Sequence, residues 1–200
     1  MILLIIRHGE SEADLLHVHE GRADIDLTAR GQKQAAAMSK YVKAHYTINR
    51  IYASPLRRAA QTASLLSLAT GKSVIFDEDL MEFNNGLLAG LPYEEAAVKY
   101  PPVKDLPADK AVYGQESLAA FRARAEAFLK RLRAECGKDE VVAVVTHGGM
   151  VNQLYGALLG LPLRPGVWFT SYDTGIHELE LNDGEVRIVR ANLSAHADGI

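Results

Sequence analysis

Cysteine is nearly absent from this chain: Cys136 stands alone among 200 residues. That excludes an internal disulfide and any zinc site built on cysteines, and it suits a reducing compartment. Long apolar runs are absent as well. The opening Met1–Ile6 holds six apolar residues, against the roughly 18 of a membrane span. It has neither the basic flank nor the small-residue cleavage site of a secretory leader. An excess of one charge is also missing, since 22 Lys and Arg face 25 Asp and Glu for a net −3. Nothing pulls the whole chain toward nucleic acid or an anionic membrane, so any basic site must be local. A cytoplasmic protein with neither of those partners is expected, free of repeats and low-complexity tracts.

What is present is apolar content, 48% of the chain, enough for one substantial core and a single domain spanning 1–200. Strands and helices alternate. Ile2–Ile6 reads as a strand covered on both faces. Thr28 caps a helix to about His45, Ile51–Ala53 is a short strand, and Ser54-Pro55 supplies the cap and first-turn proline of a helix to Ala69. Val74–Phe76 is a third strand. Asp77–Gln115 is irregular, rich in proline, with one short helix near Tyr93–Tyr100, and it reads as a lid. Glu116–Glu135 is an amphipathic helix ended by Gly137, Val141–Val145 a buried strand, and Gly148–Leu159 a helix. Asn182-Asp183-Gly184 joins two final strands as a hairpin. The expected fold class is α/β, a three-layer α/β/α sandwich on a mostly parallel mixed sheet with an antiparallel edge strand.

In such sheets ligands bind beyond the carboxyl ends of the strands. Two apolar strands here each end in a histidine, in IIRHG and in VVTHGG. If they are parallel neighbours, His8 and His147 converge. SPLRRAAQTA puts Arg57 and Arg58 in the first turn of a helix, where free N–H groups and the dipole favour an anion. A pocket of Arg7, His8, His147 and an arginine from that pair wants a phosphate or similar compact anion. A histidine there fits a phosphoryl-accepting nucleophile better than a metal ligand, because the arginines would repel a cation. Other suggestive stretches are set aside: Thr70-Gly71-Lys72-Ser73 lacks the first glycine of a P-loop, His17-Val18-His19 is ordinary loop polarity, and Asn192-Leu193-Ser194 is a bare sequon. No metal is expected.

RHGES, GRADIDLTARGQKQA, SPLRRAAQTA, LMEFNNGLLAGL and VTHGG occur in the order seen in the histidine phosphatase superfamily, the phosphoglycerate mutase-like proteins, and the chain resembles that family over most of its length. The resemblance implies a phosphoglycerate mutase-like fold, no cofactor, and a small-molecule phosphomonoester as substrate. His8 matches the histidine that becomes phosphorylated, Arg7 and Arg58 match phosphate ligands, and His147 matches the second pocket histidine. Glu82 matches the acid that protonates the leaving oxygen and then deprotonates water. Ser11, Asp14, Glu20, Gly21 and Gly148 complete the implied substrate-binding set.

The chain also departs from the family pattern. Asp14 stands where many members have an asparagine touching the phosphate. A carboxylate there weakens binding of a dianion or favours a substrate with a cationic or hydroxyl-rich group nearby. Ala89 replaces a carboxylate of the phosphatase branch, and Asn85 and Tyr93 replace aromatic and basic positions of mutases. A mutase holds a second phosphate, yet Glu82–Gln115 offers only Lys99, Lys104 and Lys110. A phosphatase working through phosphohistidine is therefore expected. The alternatives are a cofactor-dependent phosphoglycerate mutase and a non-catalytic phosphate-binding member. A homodimer stays open, with Trp168, Phe169 and Tyr172 serving either core or interface.

Overall fold

A computed structural model describes all 200 residues. The elements run β1 (Ile2–Arg7), α1 (Glu12–Leu16), α2 (Ala29–His45), β2 (Arg50–Ala53), α3 (Arg57–Thr70), β3 (Val74–Phe76), α4 (Tyr93–Lys99), α5 (Leu118–Glu135), β4 (Val141–Thr146), α6 (Gly148–Leu158), β5 (Ile176–Asn182) and β6 (Glu185–Leu193). The six strands form one sheet in the order β3-β2-β4-β1-β5-β6. The first four run parallel, β5 is reversed against β1, and β6 pairs antiparallel with β5 at the edge.

Successive residues of the apolar strands serve opposite faces, as the pleat requires. Leu4, Ile6, Ala53 and Val145 pack with Met38, Val42 and Leu66 of α2 and α3. Leu3, Ile5, Val142 and Val144 pack with Phe128, Leu132 and Leu154 of α5 and α6. Both faces are thus covered by helices, which is why these strands show no polar alternation. The three layers match the sequence expectation.

Register is what positions the site. β1 and β4 are parallel neighbours with Arg7 opposite Thr146, so the residues that follow, His8 and His147, emerge side by side. The His8 N–H donates to the Thr146 carbonyl at 2.9 Å, extending the ladder to the point where the strands end.

Local differences from the sequence reading have physical reasons. Helix α3 begins at Arg57 with Leu56, not Ser54, in the cap position. Ser54 Oγ accepts the Leu56 N–H and also bonds a histidine, while Asp24 Oδ1 accepts the Arg57 N–H. Helix α5 starts after Ser117, whose hydroxyl accepts the Ala120 N–H, and it ends on an extended Cys136 instead of a left-handed Gly137. The sequence gives no sign of α1, five residues closed by Ser11 and Asp14 as a reciprocal cap. Residues 77–115 hold two short 3₁₀ turns and α4. They are tied to the loop after α1 by His19 N–H to Leu91 O and Gly90 N–H to His19 O.

Candidate active site

His8 is 1% exposed and tightly held. Its Nδ1 lies 2.7 Å from the Gly9 carbonyl, an acceptor only, so Nδ1 carries the proton and Nε2 presents its lone pair. Arg58 Nε donates to that Nε2 at 3.2 Å. Burial, then Arg58 and Arg7, push the imidazole well below its ordinary value, so the ring is neutral at physiological pH. The His147 ring lies edge-on, 5.0 Å between centroids. His147 Nε2 is 2.8 Å from Ser54 Oγ, and its buried Nδ1 has no partner. Ser54 takes up Nε2, so Nδ1 is the ring nitrogen left for a ligand, and it donates there in the tautomer in which the Ser54 hydroxyl gives its proton to Nε2. Burial, Arg58 and His8 keep His147 neutral also.

The arginines are fixed by carbonyls. Fully buried Arg58 donates to Ala23 O at 2.9 Å and Gly21 O at 2.8 Å. Arg7 donates to Ser171 O at 2.8 Å and faces Asp173 Oδ1 at 3.3 Å. Burial depresses Arg58, but a guanidinium keeps its proton in any case. Arg57 points elsewhere: its side chain is half exposed and pairs with Asp26 at 2.6 Å. Of the pair, Arg58 is the one that reaches His8.

Glu82 comes from the irregular segment and docks on the start of α6. Oε2 accepts the Gly149 N–H at 2.8 Å and Oε1 the Phe83 N–H at 2.7 Å. A side chain at Gly149 would overlap Glu82 Oε1, so only glycine allows this seat. Burial raises the Glu82 carboxyl above its usual range, outweighing the Phe83 and Gly149 N–H groups that pull it down. Glu82, Arg7, Asp14, Glu20 and Gly21 line one cleft of about 370 Å³. Gly148 opens α6 beside the Arg7 side chain. Ser11 is fully buried, and its hydroxyl is engaged by two carboxylates, Asp14 Oδ2 at 3.2 Å and Glu20 Oε1.

Several supports escaped sequence reasoning. Arg124 of α5 donates through Nη1 to Asp79 O and Met81 O and through Nη2 to Glu82 O. It forks onto Glu116, with Nε–Oε2 at 3.1 Å and Nη2–Oε1 at 2.7 Å. Behind Arg7, buried His177 receives the Tyr155 hydroxyl at Nδ1 and donates from Nε2 to Ser171 Oγ, each at 3.0 Å. Asp173, Arg124 and His177 sit far from the motifs in sequence, and no local pattern marks them. No group of three or more His, Cys, Asp or Glu is arranged to hold a metal, and His17 and His19 form no such group. Phe169 stacks on Tyr155 in the core, whereas Trp168 is 69% exposed.

Comparison with known proteins follows the same lines. Residues 3–194 match the family described as the histidine phosphatase superfamily (branch 1). Phosphoserine phosphatase 1 of Hydrogenobacter thermophilus is 30% identical over 199 residues, covering 97% of this chain and 93% of that one. Phosphoglycerate mutase-like protein 4 of Arabidopsis thaliana is 31% identical over 164 residues, covering 76% and 69%. Among solved structures, a mycobacterial glucosyl-3-phosphoglycerate phosphatase in complex with VO3 superposes with a TM-score of 0.85 at 28% identity, covering 96% of this chain and 99% of that one.

Proposed function

Because this chain belongs to the histidine phosphatase superfamily, we propose that it hydrolyses small phosphomonoesters by passing the phosphoryl group through His8. The carrying observation is the fixed tautomer of His8: Nδ1–H on the Gly9 carbonyl and a free-base Nε2 against Arg58, both beside Glu20 of the cleft that Arg7 and Glu82 line. A neutral imidazole that burial and two guanidiniums keep unprotonated is a ready nucleophile.

The steps follow from the donors. His8 Nε2 forms a bond to phosphorus as the ester oxygen leaves. Arg58 transfers its Nε–H from Nε2 to a phosphoryl oxygen, and Arg7 and His147 Nδ1–H meet the others, so developing charge is stabilised by groups already in position. Ser54 positions His147 through its hydrogen bond with Nε2. Glu82 gives its proton to the departing alkoxide, and its raised carboxyl suits that task. In the second half, the Glu82 carboxylate takes a proton from water, which attacks phosphorus, and His8 leaves as the neutral base. The cationic stabilisation of the phosphoryl group comes from arginine side chains.

Phosphate release from a panel of phosphomonoesters with chelator present, run beside acid-stable and acid-labile phosphoprotein assays, tests this reading. Chelator-resistant turnover with an acid-labile, base-stable adduct on His8 supports it. Turnover that persists in His8→Ala refutes it. Hydrolysis is favoured over mutase chemistry because Arg7 is the only lysine or arginine on the open wall of the cleft, and with Arg58 it serves the phosphate at His8, leaving a second phosphate without its cation. A non-catalytic role fits poorly with a complete set of nucleophile, acid and arginines. Exposed Val167 and Trp168 support a homodimer, which light scattering tests. No helix is long and apolar enough to cross a membrane.

A further inference from the structure

The phosphatase reading leaves open what the substrate carries besides its phosphate, and the cleft holds an unusual balance of groups for a site that binds a dianion. Glu20 reaches into the seat itself: Oε1 lies 3.6 Å from Arg58 Nε and Oε2 lies 3.8 Å from His8 Nε2. Asp14 stands next to it through a shared partner, Ser11, whose N–H and hydroxyl both reach Asp14 Oδ2, at 2.8 and 3.2 Å. Both carboxylates line the cleft. A phosphoryl dianion placed on Arg7 and Arg58 therefore has two like charges at its side. Such juxtaposition weakens binding unless something of opposite charge sits between.

A separate observation points the same way. Asn85, on the same cleft, is 8% exposed, and its Oδ1 has no hydrogen-bond partner. That oxygen lies against Gly21, where any side chain would overlap it. A buried carbonyl oxygen without a donor is unfavourable, and a donor carried by a ligand in this cleft would relieve it. The available cations cannot do so. Arg7 is held by Ser171 O and Asp173, and Arg58 is held by two carbonyls. The nearby Arg22 faces Glu116 at 3.8 Å and the Glu82 carbonyl at 3.5 Å.

Three substrate types can be weighed against this lining. A second anion, such as a carboxylate or another phosphate, meets acceptors and negative charge. A neutral hydroxyl satisfies Asn85 but gives Asp14 and Glu20 no positive charge beyond that of Arg58. An ammonium gives both carboxylates a counter-ion, gives Asn85 Oδ1 a donor, and can lie against the Phe83 and Tyr93 rings that also border the cleft. Resting on the phosphatase reading, we infer that the preferred substrate is a phosphomonoester bearing an ammonium group close to its ester oxygen, a short aminoalkyl phosphate, recognised by Asp14, Glu20 and Asn85.

Three compounds of matched length test the inference: phosphoethanolamine, ethylene glycol monophosphate and phosphoglycolate, which differ in their terminal ammonium, hydroxyl or carboxylate. The expected kcat/KM falls in that order, by about tenfold per step. In the Asp14→Asn/Glu20→Gln double variant the amine-over-acid ratio collapses by about tenfold or more, and in Asn85→Ala the amine loses its lead over the hydroxyl compound. Glu20→Gln alone serves if the double variant does not fold. Phosphoglycolate cleaved as well as phosphoethanolamine by the unaltered protein overturns the inference, as does an unchanged ratio in the variants. Calorimetric dissociation constants for the same three compounds give the ranking independently of turnover. Loss of all hydrolysis with the ranking of affinities intact sinks the phosphatase reading alone; hydrolysis with the ranking reversed sinks only the inference.

Discussion

The floor of the cleft and the segment that overhangs it are held by different means. On the floor, His8 and His147 continue two parallel strands, and Arg58 rises from the first turn of α3; none of the three is more than 1% exposed. Their partners are backbone carbonyls and one buried hydroxyl: Gly9 O, Gly21 O, Ala23 O and Ser54 Oγ. On the overhang, Glu82 lies between two 3₁₀ turns and depends on a side-chain staple, Arg124 with Glu116, reaching across from α5 and its approach. A strand end cannot shift without opening the core on both faces of the sheet, whereas a stapled loop can be re-anchored by a few substitutions. On the proposed mechanism phosphoryl chemistry is thus tied to the fold, while the acid and the lining that selects substrates are tied to side chains that can vary.

The largest effect expected is on the floor. His8→Ala should lower kcat by on the order of 10⁴ or more, since His147, the other ring in the seat, is tied to Ser54. The fold should survive, because β1 ends before the change. A variant keeping more than about a hundredth of the activity would show that the strand ends do not carry the chemistry.

On the overhang the loss should be smaller and conditional. Glu82→Gln should cost about 10²–10⁴ in kcat for alkyl phosphates, and far less for an aryl phosphate whose leaving group needs no proton. The raised Glu82 carboxyl makes the first step fall off as pH rises through its titration, and that limb should vanish in the glutamine variant. Equal losses on both substrate types would place the acid elsewhere. Smaller still, Arg124→Gln or Glu116→Gln should lower kcat by about 10- to 100-fold through misplacement of Glu82, with little change in KM. Since Arg124 reaches three carbonyls of residues 79–82, the Glu82-dependent limb should blur in the same variants. An intact limb with reduced stability would make the staple merely structural.

How much of this was legible follows the same division. The floor could be read from the sequence because each of its residues terminates an apolar strand or opens a helix, and local pattern suffices to place a strand end. Three layers, both face-covering helix pairs and the meeting of His8 with His147 all follow from that. The cap at Ser54 was misread because its hydroxyl serves His147, a partner 93 residues away. Arg124, Glu116, Asp173 and His177 were invisible for the same reason: they act through carbonyls and carboxylates brought near only by packing. Asp14 stood out as an oddity in the sequence, but its sharing of Ser11 with Glu20 needed the geometry of α1, too short to predict.

The smallest effect concerns how the floor is braced from behind. His177 supports Arg7 through Ser171, whose hydroxyl it holds and whose carbonyl accepts from the guanidinium. Burial lowers His177 from 6.5 to about 4, and in the folded chain Nδ1 accepts from Tyr155 and from the Asn192 N–H. Between these values the unfolded chain holds a proton that the folded one does not, so stability rises with pH and is lost as pH falls from about 6.5 toward 4. One such group adds up to about 1.4 kcal/mol per pH unit in that window. His8 and His147, also held neutral, act in the same direction. His177→Gln should therefore flatten the acid side of the stability curve by about one proton's worth of slope in denaturant titrations at stepped pH. Its effect on KM should be only a few-fold, since Asp173 still faces Arg7. A curve that keeps its full slope would mean that acid sensitivity resides in other buried histidines such as His8 and His147, and that the floor needs no brace beyond its own strands.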